Sequence, residues 1–428
     1  MISSSHSDSA RVPTAFNRMF GKTFVSLRNR NFKLFFIGQL ISSTGNWLTN
    51  VALTLFVLKM TGSGFAVGVL VACQFGPILF LSAWAGAIAD RSDKRRMLFW
   101  TQGLEMAQSC GLAIVAFLPH PPLVTLYILA LAGGVLLSFD NPLRRSFVTE
   151  MVPPEDISNA VVLYSAIVNI ARIFGPALAG LLVVTLGYGW AFTIDAATYL
   201  AVLFCLLIMR THALYRQPVK MRTKGEIREG LRYIRSMPLL WISFLMLAAI
   251  GTLSYNFNVT FPLFVTVALH STDGVFTILY SVFSFGAVVS ALIVAHRNLV
   301  RIQHILLGAL LLGLSMLLLA AMPTVLSSMF AVFLVGMASI LYMTATTAIV
   351  QVEAKRDMHG RVLALQTVLV AGTGLIGGPL SGWLADVLGG RAPLLVGGVV
   401  CLIAAAYGFI ATRTSSIIMH RTNQPGRE

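Results

Sequence analysis

Charge is what this chain has least of. Only 11% of its 428 residues are Asp, Glu, Lys or Arg, where a soluble domain carries roughly 25%. Acid is the scarcer sign: 16 Asp and Glu stand against 31 Lys and Arg, a formal net charge of +15. With 57% hydrophobic residues and a mean hydropathy of +0.81, one core cannot hide the apolar surface from water. A soluble globular fold is excluded. Short alternating strands are also missing, which excludes a membrane β-barrel. Cysteine is sparse, with Cys73, Cys110, Cys205 and Cys401 all inside apolar runs. Such thiols behave as small hydrophobes, and their spacing suggests neither a metal site nor a disulfide framework. No metal and no cofactor are therefore expected. On a soluble protein the basic excess would suggest nucleic acid. On a chain this apolar it reads as topogenic charge beside a membrane, with no nucleic-acid partner.

What is present is a series of uncharged stretches of about 20 residues, each long enough to cross a bilayer. They fall at 32–58, 65–89, 97–118, 123–143, 160–186, 189–209, 238–268, 274–296, 302–322, 325–350, 362–387 and 392–412. The fold class expected is an all-α polytopic membrane protein with twelve transmembrane helices. The turns "KMTGSG", "LPHPPL", "GYGW", "HSTDG", "MPTV" and "GGRAP" hold only Lys59 and Arg391. The opposite connections hold Arg11, Arg18, Lys22, Arg28, Arg30, the knot from Arg91 to Arg96, Arg144, Arg145, Arg210 through Arg235, Arg297, Arg301, Lys355, Arg356 and Arg361. That bias predicts cytoplasmic termini. The opening residues are polar and basic without an apolar core, so they do not read as a cleaved signal peptide. "GKT" at 21–23 lacks the earlier glycine of a phosphate-binding loop, since Phe16 stands there, and ATP hydrolysis is rejected.

The two halves of the sequence echo each other. "NIARIFGPALAGLL" carries Gly175, Pro176 and Gly180, and "AGTGLIGGPLSGWL" carries Gly378, Pro379 and Gly382, at the fifth and eleventh stretches. Proline bends a helix and small residues let a neighbour approach. Such a repeat is a known transporter build. The expected organisation is a basic cytoplasmic tail over 1–31, a six-helix bundle over 32–209, a linker over 210–237, a second six-helix bundle over 238–412 and a tail over 413–428. Within the linker, Ile227, Leu231 and Ile234 recur at helical spacing beside Arg228, Arg232 and Arg235, which predicts a basic amphipathic helix on the inner membrane surface.

With these motifs in view, the chain resembles the major facilitator superfamily. "GAIADRSDKRR" matches that family's loop between helices two and three at Gly86, Asp90, Arg91, Lys94 and Arg95. Asp93 stands where the family usually has Gly. "GPALAG" resembles part of the antiporter motif, without its upstream glycines. "NFKLFFIGQLISSTGNWL", "EGLRYIRSMP", "DNPLRRSFVTEMVPPEDISNA" and "GRVLALQTV" resemble the drug:proton antiporter branch that holds macrolide-efflux and enterobactin-exporter-like proteins. The resemblance covers 31–412. It implies a conformational latch in which Asp90 caps the cytoplasmic start of helix eleven. Lys94 or Arg91 would pair with Asp140.

Few ionisable residues lie within the stretches, and such residues usually face a bundle interior. Glu105, Arg172 and Asp195 are the candidates for proton coupling, Glu105 first and Asp195 second. Glu105 and Arg172 fall at similar depth, so a pair is expected if their helices meet. Ser42, Asn46 and Asn50 share one helical face, as do Thr252, Asn256 and Thr260 in the equivalent stretch of the second half. With Gln74, Asn169, Tyr280, Ser284 and Tyr342 they are candidates for a substrate cavity. His296, His304 and His359 lie at loop edges without metal-site spacing, and no enzyme is expected. The function expected is export of small amphipathic, drug-like molecules by alternating access and proton antiport. Dedicated export of one metabolite such as a siderophore, or lysophospholipid flipping, stays open beside it. The partners expected are the bilayer, a small-molecule substrate and protons, for a monomer in a bacterial inner membrane.

Overall fold

A computed structural model describes residues 24–215, 226–297, 302–355 and 358–422. Arg11, Arg18, Lys22, Arg301 and Arg356 lie outside the described residues, as do the side chains of Asp90, Ile227, His296 and Arg297. The described residues are almost wholly helical. In chain order the helices are α1 (Arg30–Thr61), α2 (Gly64–Arg91), α3 (Lys94–Ala116), α4 (Leu123–Val148), α5 (Ile157–Thr185), α6 (Tyr188–Ile208) and the short α7 (Glu226–Ser236). There follow α8 (Pro238–Leu253), α9 (Phe257–Leu263), α10 (Asp273–Arg297), α11 (Ile302–Ala321), α12 (Val325–Glu353), α13 (His359–Leu388) and α14 (Ala392–Thr422).

Among the described residues, 10 helices are long and apolar enough to cross a membrane. Two of the twelve expected stretches fall outside that set. The helix α1 is long, at 32 residues, but carries Gln39, Ser42, Ser43, Thr44, Asn46 and Asn50. The helix α3 carries Lys94, Arg95, Arg96, Gln102, Glu105 and Gln108. Each leaves an apolar face exposed, at Ile37 and Ile41 on α1 and at Trp100, Leu104 and Ile114 on α3, while Thr49, Gln102 and Ser109 turn inward to carboxylates of α4 and α6.

Local chemistry sets the helix ends. Gly62, with φ of 62°, ends α1 in the left-handed region that glycine enters without strain. Ser63 caps α2, and Asp93 caps α3 by accepting from the Arg96 amide at 3.0 Å. Asp93 thus does useful work where the family pattern has glycine: the turn closes in two residues, Ser92 and Asp93, and its carboxylate satisfies a helix start. Thr324 and Ser327 form a capping box on α12.

The stretch 238–268 is interrupted. The helix α8 stops at Leu253 and α9 begins at Phe257, and a π turn over Phe264–Ala268 continues it. Side chains at the break tie it to neighbouring helices: Ser254 Oγ donates to the Gly397 carbonyl at 2.9 Å, and the Tyr255 hydroxyl donates to that of Ser339.

Packing repeats between the halves. In the first, α1 packs on α5 and α6, α2 on α4, and α3 on α4 and α6. In the second, α8 packs on α13 and α14, α10 on α12, and α11 on α12 and α14. The halves meet through α2 against α13 and α5 against α10. Small residues permit both contacts: a Cβ at Gly382 would strike the Gly64 carbonyl, and one at Gly180 would strike Thr277. Gly378 faces Gly68 beside Pro379, while Gly175, one residue before Pro176, packs on Trp47 of α1.

Candidate functional site

The first half encloses a charged cluster. Arg144 on α4 pairs with Asp140 one turn earlier and with Glu105 on α3 at 3.4 Å. The spacing i, i+4 puts Asp140 and Arg144 on one face of α4. Gln102 on α3 donates to both carboxylates, at 2.9 Å each. Thr101 adds a donor to Asp140 at 3.4 Å. Gln39 on α1, with its carboxamide oxygen assigned toward the guanidinium, accepts from Arg144 Nε at 3.2 Å. Glu105 is 3% exposed, Asp140 0% and Arg144 8%. One arginine therefore serves two sealed carboxylates.

A third carboxylate lies close by. Asp195 on α6 accepts from Thr49 Oγ1 and Ser109 Oγ at 2.7 Å each, with no cation beside it. One turn along, the Tyr199 hydroxyl receives Asn46 Nδ2 at 3.4 Å. A cavity of about 60 Å³ opens onto this region, lined by Asn46, Thr49, Asn50, Gln74, Glu105, Gln108 and Tyr199. That is room for roughly two waters.

Two expected pairings are corrected. Glu105 does not pair with Arg172, because α3 packs on α4 and α6, while Arg172 on α5 turns toward the Trp47 ring of α1. Lys94 does not pair with Asp140. It is bound to Glu150 just past α4, while Arg144 takes Asp140. Arg91 is exposed, and Arg95 donates to the Leu206 and Leu207 carbonyls at the end of α6, at 2.8 and 3.3 Å. Gly86 is buried in α2. Arg144 was missed as a site residue because the fourth stretch was cut at 143. The helix continues to Val148 and carries Arg144 inward.

The polar faces have mixed fates. Asn50 on α1 donates to Gln74 at 3.5 Å and accepts from Asn258 on α9 at 3.4 Å. Tyr280 on α10 donates to Asn258 at 2.8 Å. The Asn258–Asn50 contact bridges the halves, and Asn258 was not foreseen. Thr252 and Asn256 instead donate to carbonyls of their own helix, of Ala248 and Thr252. Thr260 is buried, Ser42 Oγ and the Tyr342 hydroxyl are buried without partners, and Asn169 is exposed. Ser284 donates to the Arg172 carbonyl at 3.3 Å.

Further contacts join the halves at the end where the short turns lie. Asp386, near the end of α13, accepts from Ser63 Oγ at 2.7 Å and from the Gly64 and Phe65 amides at 2.6 and 2.9 Å. A carboxylate thus sits on the positive start of α2. Nearby, Tyr188 on α6 donates to Asp273 on α10 at 2.7 Å, and Lys59 lies 5.5 Å from the Tyr188 ring centre.

A helical membrane bundle of two repeated halves, with a sealed acid–base cluster in one, is the build of a transporter. The family model described as transmembrane secretion effector matches residues 21–418, and the chain belongs to that family, within the major facilitator superfamily. Similar relatives include the staphyloferrin A transporter of Staphylococcus aureus, 25% identical over 83% of this chain and 90% of that one. The multidrug efflux pump Tap of Mycolicibacterium fortuitum is 25% identical over 86% and 94%. The enterobactin exporter EntS of Salmonella typhimurium is 24% identical over 83% and 86%. Among solved structures, a bacterial homologue of the lysosomal transporter Spinster in an inward-facing, unoccupied conformation superposes with a TM-score of 0.70 at 14% identity, over 90% of this chain and 96% of that one. A POT family transporter superposes with a TM-score of 0.73 at 12% identity, over 89% and 96%. These structures share the fold. The chain is a multi-pass membrane exporter.

Proposed function

We propose that this exporter moves small amphipathic molecules out of the cell by proton antiport. The single observation that carries the reading is the sealed set of Glu105, Asp140 and Arg144, with Asp195 beside it. Two carboxylates share one guanidinium at membrane depth and a third lies beside them without a cation, an arrangement with room for a proton. Glu105 has the weaker hold on Arg144 and borders the water-sized cavity, so it is the carrier in this reading. Substrate binding or rocking of the halves would change its hold on Arg144 and with it the proton.

The remaining assignments follow the same picture. Two six-helix bundles, including α1 and α3 as crossings, would rock about the α2–α13 and α5–α10 contacts. Both termini and the basic connections face the cytoplasm of a bacterial inner membrane by the excess of Lys and Arg. The Asp386 cap and the Tyr188–Asp273 bond then lie on the outer side, and the conformation described is the one closed outward. The residues Gly86, Asp90, Arg91, Lys94 and Arg95 form the inner hairpin that would close the opposite end. A monomer encloses one complete pathway.

The test is compound-triggered proton movement in inside-out vesicles holding an established pH gradient. Dyes, macrolides and siderophores are added in turn. Compound-specific proton efflux, lost in Glu105→Gln and retained in Arg96→Gln, supports antiport. No proton response to any compound, from folded protein that still exports one of them, rejects it. A second reading, dedicated export of one metabolite, is favoured by the unpaired cation described next.

A further inference from the structure

One charge at membrane depth has no anion from the protein. Arg172 lies on α5 just before the Gly175–Pro176 bend. Its Nε is sealed from solvent and has no acceptor. Its neighbour is an aromatic face: the guanidinium carbon is 5.7 Å from the centre of the Trp47 ring. The carboxylates that could serve it are engaged elsewhere. Glu105 and Asp140 face Arg144, and Asp195 is held by Thr49 and Ser109. Among the described residues of α8–α14, acids occur only at Asp273, Glu353 and Asp386, near helix ends.

The surroundings of Arg172 belong to both halves. Its carbonyl accepts from Ser284 on α10 at 3.3 Å. The same Ser284 hydroxyl meets the carbonyl of Tyr280, one turn earlier on α10, at 3.0 Å. The Tyr255 ring is 6.3 Å from that of Tyr342, whose buried hydroxyl also lacks a partner. A cation thus stands beside the Trp47 ring where α5 meets α10, and each half keeps an unused buried donor, Arg172 Nε in one and the Tyr342 hydroxyl in the other.

A half-buried guanidinium at membrane depth, its Nε sealed and no carboxylate paired with it, is unfavourable. Its planar fork fits a carboxylate or a similar oxyanion, and its face can stack on an indole. We propose that Arg172 anchors the acidic group of the transported compound, so that the substrate class is a small aromatic or apolar molecule bearing an anionic group. This rests on the reading of the chain as an exporter and names what it exports. The compound's ring lies against Trp47, and its anion supplies the charge that Arg172 lacks. Cationic amphiphiles are disfavoured at this position by like charge.

Three probes with one ring and one hydroxyl test the proposal: anionic salicylate, neutral salicylamide and cationic 2-hydroxybenzylamine. Binding to the purified full-length protein in detergent is measured by equilibrium dialysis, with no proton gradient. Salicylate is expected to bind at least about tenfold tighter than the other two. Arg172→Gln removes the preference, Arg172→Lys keeps part of it, and Arg96→Gln, an equal charge change at an exposed position, keeps all of it. Equal binding of the three probes, no binding of salicylate, or an undiminished preference in Arg172→Gln overturns it. If Arg172→Gln does not fold, the wild-type probe series and Arg172→Lys still decide. Failure of the antiport reading shows separately, as lost proton movement with the anion preference intact.

Discussion

The two halves of this protein share a packing scheme and little of their chemistry. In α1–α6 three carboxylates and Arg144 are buried together. The second half has no such cluster among its described residues and carries instead, on α9 and α10, an aromatic one: Phe257, Phe261, Tyr280 and Phe283 pack with ring centres 4.8 to 6.3 Å apart. A repeat therefore constrains where helices touch, at α2–α13 and α5–α10, and leaves their interiors free to diverge. In this reading one half holds the proton and the other supplies a greasy wall, with Arg172 and Tyr280 where they meet.

That contrast can be broken most sharply at Arg144. Arg144→Ala leaves Asp140 and Glu105 buried without a cation and is expected to destabilise the protein by about 3–5 kcal/mol. Thermal unfolding of the detergent-solubilised protein measures it, and Arg144→Lys should recover part of the loss. Changing the second half by comparable size, as in Tyr342→Phe, removes a hydroxyl that has no partner and should cost under about 1 kcal/mol.

Contacts between the halves come next. Gly382→Val drives a side chain into the Gly64 carbonyl and should cost about 1–3 kcal/mol of the arrangement in which α2 and α13 touch. Spin labels on the short turns would report a longer mean separation between α2 and α13. A smaller effect on these contacts is expected at Asp386→Asn, which weakens an exposed cap on α2. The same labels should show a shift toward opening of about 1 kcal/mol, smaller at high salt. No change in either distance distribution would mean these contacts do not hold the halves together.

Much of this was legible in the sequence, for particular reasons. Charges and turn residues bounded most helices to within a few positions, although α4 runs five residues past 143 and α14 ten past 412, to Thr422, into the expected tail, and the GPALAG and GGPLSG echoes located both inter-half contacts. The residues that matter most were legible only in part. Glu105 and Asp195 stood out because acids are rare in apolar runs. Arg144 did not, because a basic residue after an apolar stretch looks topogenic until the helix is seen to run on to Val148. The Glu105–Arg172 pairing failed because depth along a helix says nothing about which way each helix faces. The α8–α9 break was also hidden, since "LSYNF" is apolar enough to continue a helix and is interrupted by tertiary bonds from Ser254 and Tyr255.

The division of labour between the halves is tested most directly by counting protons exchanged by the purified protein on binding a transported compound, using a pH-sensitive dye in weakly buffered detergent. A proton release that disappears in Glu105→Gln and persists in Glu353→Gln, at matched ligand occupancy, is the result expected from a proton site in the first half. Release unchanged by Glu105→Gln, or abolished by Glu353→Gln, would contradict it.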